Sequence, residues 1–118
     1  MTTINMSKVG VKSLKGMTKQ TKKSVFEVIE KSVMNSSLTI KDIAVQTETA
    51  VRLYATDGAG LTIMVEYTNT SNNEGEAMIQ IIDECNEDNF AVMFPKRDNM
   101  RSLSACMRMC MDEIIENA

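Results

Sequence analysis

Five of the six residues from Cys106 to Met111 carry sulfur, and Cys85 adds a third thiol to the chain. Thiols can ligate a metal, run redox chemistry or fill apolar space. A structural zinc site needs four ligands. Cys85, Cys106 and Cys110 supply three, and the 118 residues contain no histidine to complete the set. Redox or nucleophilic work needs an exposed thiol of low pKa. Cys106 and Cys110 stand in apolar company in the C-terminal half of a predicted helix, where the helix dipole disfavours a thiolate. Packing is therefore the expected role of the sulfur, with no metal and no cofactor.

The missing histidine also bears on catalysis. Imidazole is the usual acid or base at neutral pH and the commonest metal ligand. Any catalyst here would run on carboxylate, lysine, cysteine or tyrosine alone. The carboxylate pair Glu74/Glu76 has no visible partner, and Asp83 and Glu84 are expected at a strand end. No residue is assigned a catalytic role, and the chain is read as a non-enzyme.

The segment that carries the sulfur must be a helix. At 100° per residue, Met100, Leu103, Cys106, Met107, Cys110, Met111, Ile114 and Ile115 share about half the circumference. Arg101, Ser102, Ala105, Arg108, Asp112, Glu113 and Glu116 take the other half, and Met109 stands off the apolar side. Cys106 and Cys110 are i, i+4 neighbours on one surface. So wide a stripe exceeds what one sheet face covers, and methionine suits adaptable surfaces. A second copy is the expected cover, with Met100, Leu103, Met107, Met111 and Ile115 as the candidate dimer interface.

Further elements precede that helix. Val25, Val28, Ile29 and Val33 mark the stripe of an N-terminal helix, with Ser24 and Glu27 spaced as a capping box and Asn35-Ser36-Ser37 as its stop. Val51, Leu53 and Ala55, then Leu61, Ile63, Val65 and Tyr67, alternate with polar neighbours, as half-buried strands do. Asp57-Gly58-Ala59-Gly60 between them reads as a hairpin turn; the Lys-Ser/Thr of a phosphate loop is missing. An earlier strand near Ile40 to Gln46 is expected to pair with the second of these runs. Residues 77–85 fit a strand or a helix face; the Ile pairs and the run "FAVMF" favour a strand hairpin with "CNEDN" as its turn. Pro95 ends that strand and Asp98 caps the last helix. The fold class is α+β: an N-terminal helix, an antiparallel meander of four to five strands, and a long C-terminal amphipathic helix packed on the sheet.

Charge is polarised along the chain. Residues 1–23 hold six lysines and no acid, whereas between Arg52 and Lys96 there is no base and there are eight acids. Residues 1–17 read as a flexible basic arm and 18–118 as a single domain. The body's acids, Glu74, Glu76, Asp83, Glu84, Glu87 and Asp88, form a candidate surface for a basic protein partner, since an acidic field steers cations. The alternative is nucleic acid held by Lys8, Lys12, Lys15, Lys19, Lys22 and Lys23 with Arg101 and Arg108. Stacking platforms need aromatics on basic strands, and the strands around Tyr54 and Tyr67 carry only Arg52. Protein binding by a small, non-catalytic regulatory module (an adaptor, inhibitor or assembly subunit), as a homodimer, is the preferred reading. With 43% apolar residues, no run long enough to span a bilayer and no apolar signal core in "MTTINMSKVG", the chain is expected in the cytoplasm and off the membrane.

Overall fold

The computed structural model describes residues 25–47, 49–69, 76–96 and 99–118. The basic arm, the Ser24 cap and most of the lysines lie outside them. A helix, α1, covers residues 25–35, and the strands follow as β1 (Thr39–Gln46), β2 (Ala50–Thr56), β3 (Thr62–Thr68), β4 (Met78–Asp83) and β5 (Asn86–Met93). The C-terminal helix α2 spans Met100–Glu116. The five strands form one antiparallel sheet in chain order, and α2 packs on β4 and β5. This is the expected α+β class with its five-stranded meander.

α1 buries Val25, Ile29 and Val33, one residue per turn on a single face, and leaves Glu27, Lys31 and Met34 outside. It stops at the predicted place by a defined device. The Leu38 N–H donates to the Val33 carbonyl at 3.4 Å and the Ser37 N–H to the Met34 carbonyl at 3.0 Å. Ser37 adopts φ 67°, the left-handed turn of a Schellman end. Leu38 is then buried in the core beside Val33.

β2, β3 and β4 show why alternation matters. Val51, Leu53, Ala55, Ile63, Val65, Tyr67, Ile79 and Ile81 all face inward and are buried. β1 pairs with β2, not with β3 as expected. A strand returning through a short turn pairs with its immediate neighbour, and the Thr47 N–H to Ala50 carbonyl bond at 2.9 Å closes that turn. The segment 77–85 resolves to strand β4, paired throughout with β3. Its turn is tighter than "CNEDN": only Glu84 and Cys85 turn, and β5 starts at Asn86.

The last helix begins one residue later than expected. Asn99 has extended backbone and its side chain accepts the Ser102 N–H at 2.9 Å, so Asn99 is the N-cap in place of Asp98. Leu103, Cys106, Met107, Cys110, Met111 and Ile114 are buried against the sheet. Each large side chain among them contributes about 1.5–3 kcal/mol by leaving water.

Candidate interaction surface

Most of the helix stripe is spent inside the chain. Leu103, Met107 and Met111 are fully buried in one copy, so they are not presented to a second. Met100 is half-buried, and only Ile115 of the five candidate interface residues is exposed. The wide stripe is covered because α2 lies across β4 and β5 while α1 and Leu38 close the same core. Met109 projects into solvent, 54% exposed.

Burial also decides the thiols. Withdrawal from water raises the Cys110 thiol to about 11, with smaller contributions from Cys106 and Glu113; burial likewise raises Cys106. Cys85 is exposed at the β4–β5 turn, its Sγ 3.7 Å from the Gly60 carbonyl. Among the described residues no three histidine, cysteine, aspartate or glutamate side chains come together to hold a metal.

The acids predicted as one surface are split by the fold. Glu84, Glu87 and Asp88 are exposed at the β4–β5 turn. Glu76 is exposed at the other end of β4, opposite Lys96, and Glu74 lies outside the described residues. Asp83 is corrected outright: it is only 4% exposed. Its position in β4 has the inward parity of Ile79 and Ile81. Its Oδ1 accepts the Cys85 N–H at 2.9 Å and its Oδ2 the Asn89 Nδ2 at 3.3 Å. Asn89, itself 6% exposed, also donates to the Ile114 carbonyl at 3.0 Å. This clamp ties the hairpin to a carbonyl that the end of α2 leaves without a helical partner.

The clamp assembles an acidic end that no local pattern showed. The Glu84 N–H donates to the Thr62 carbonyl at 2.7 Å, which sets the β4–β5 turn beside the Asp57–Gly60 turn. Asn89 brings in the last turns of α2. Exposed Asp57, Glu84, Glu87, Asp88, Glu113 and Glu116 belong to these three segments. Residues 57–62, 83–89 and 110–118 contain no lysine or arginine. The carbonyl end of α2 adds negative potential. In the first turn, the Ala59 and then the Leu61 N–H bonds to Asp57 Oδ1, at 2.7 and 3.0 Å, lower its carboxyl pKa.

The largest surprise is the outer face of the sheet, away from α2. The register sets Tyr54 opposite Met64, Met64 opposite Ile82 and Ile82 opposite Phe90. This is an unbroken apolar row across four strands. Phe90 is 53% and Phe94 59% exposed. The adjacent row runs Arg52, Glu66, Gln80, Val92, where the Arg52 Nη2 donates to Glu66 Oε2 at 2.6 Å. That bond, then the carboxylate charge, raises the guanidinium pKa. The even-numbered residues of β2–β5 could have been read as a second apolar stripe. Arg52 and Glu66 interrupt it along the chain and hide it.

Arg101 and Arg108 are both exposed on α2, and no ion pair engages them among the described residues. The lysines meant to join them, Lys8 to Lys23, lie outside. Also among the described residues, no helix is long and apolar enough to cross a membrane. Comparison of the chain with protein-family models, curated proteins and solved structures finds no match.

Proposed function

We propose that the chain is a non-catalytic protein-interaction module that docks through the outer face of its sheet. The observation that carries this is the row Tyr54, Met64, Ile82, Phe90. Tyr54, Met64 and Ile82 are half-buried and Phe90 is exposed, and a contiguous apolar row on the face away from the core marks a binding surface, whereas scattered residues do not. Aromatic anchors of this kind dominate association energies. The acidic end gives the partner its sign: a basic protein is attracted and mutual encounter is accelerated. Nothing in the reading asks chemistry of Cys106 and Cys110, which are buried in the core.

Affinity capture from the native host tests this, run in parallel with wild type and with the Met64→Asp/Ile82→Asp variant. Both positions are on the outer face, so circular dichroism should show the variant folded. The expected outcome is a basic protein held by wild type, released by salt and lost from the folded variant. The same proteins on both baits would refute the sheet-face reading.

A further inference from the structure

We draw no further inference here: the strongest candidate, the outer edge of β5 where Phe90 and Phe94 stand exposed beside the docking face, carries nothing more, because nothing among the described residues shows what covers it.

Discussion

Replacing Asn89 with alanine removes the amide that joins the β4–β5 hairpin to α2. Two hydrogen bonds go, one to the Asp83 carboxylate at 3.3 Å and one to the Ile114 carbonyl at 3.0 Å. Both acceptors are buried, so neither recovers water freely. Asp83 keeps one donor, the Cys85 N–H at 2.9 Å, while the Ile114 carbonyl is left without its side-chain donor. A lost bond to a carboxylate and an orphaned neutral carbonyl together cost about 2–4 kcal/mol. Domains of this size hold only about 5–15 kcal/mol in total, so the loss is conspicuous. With an unfolding entropy of about 2 cal/mol/K per residue, the midpoint should fall by about 8–16 °C. Thermal and urea unfolding followed by far-UV circular dichroism measure it, with an unchanged urea slope showing that the unfolded state is unaltered. Asn89→Asp should be worse at neutral pH, since it sets a second carboxylate against Asp83 and offers no donor. A carboxyl pair with a raised folded pKa favours the protonated form, so that variant should regain stability as pH falls. A loss under about 0.5 kcal/mol for Asn89→Ala, or an Asn89→Asp variant indifferent to pH, would refute the clamp.

Ser37→Gly should stabilise the chain by about 0.5–1 kcal/mol, because a left-handed φ of 67° strains serine and suits glycine; urea unfolding reads it, and a destabilised variant would mean that the Ser37 side chain matters more than its backbone. The buried thiols predict an alkaline weakness. Cys110 is raised to about 11 in the folded chain, against about 9 when unfolded, so its stabilising neutrality is complete below pH 9 and drains away as pH rises toward 11. A pH series of melting points checks this, and Cys110→Ala should flatten the alkaline fall relative to wild type even though it lowers stability throughout.

Much of the fold was legible because burial on one side of a strand or helix writes a period into the chain. Val51, Leu53, Ala55 and Ile63, Val65, Tyr67 alternate because one sheet face is core. Leu103, Cys106, Met107, Cys110 and Met111 repeat at helical spacing because one side of α2 is core, and their sulfur is packed there. What local pattern cannot carry is which surface covers which. The width of the α2 stripe is the same whether a second copy or the chain's own sheet, α1 and Leu38 lie over it; only the packing of α2 on β4 and β5 decided between them. Asp83 reads as an exposed acid until its inward strand parity and Asn89, brought back by the hairpin, are known. The outer apolar row draws one residue from each of four strands, and the acidic end one turn from each of three segments. Periodicity is a property of neighbours along the chain, whereas these surfaces are made by neighbours across it, and register alone brings those together.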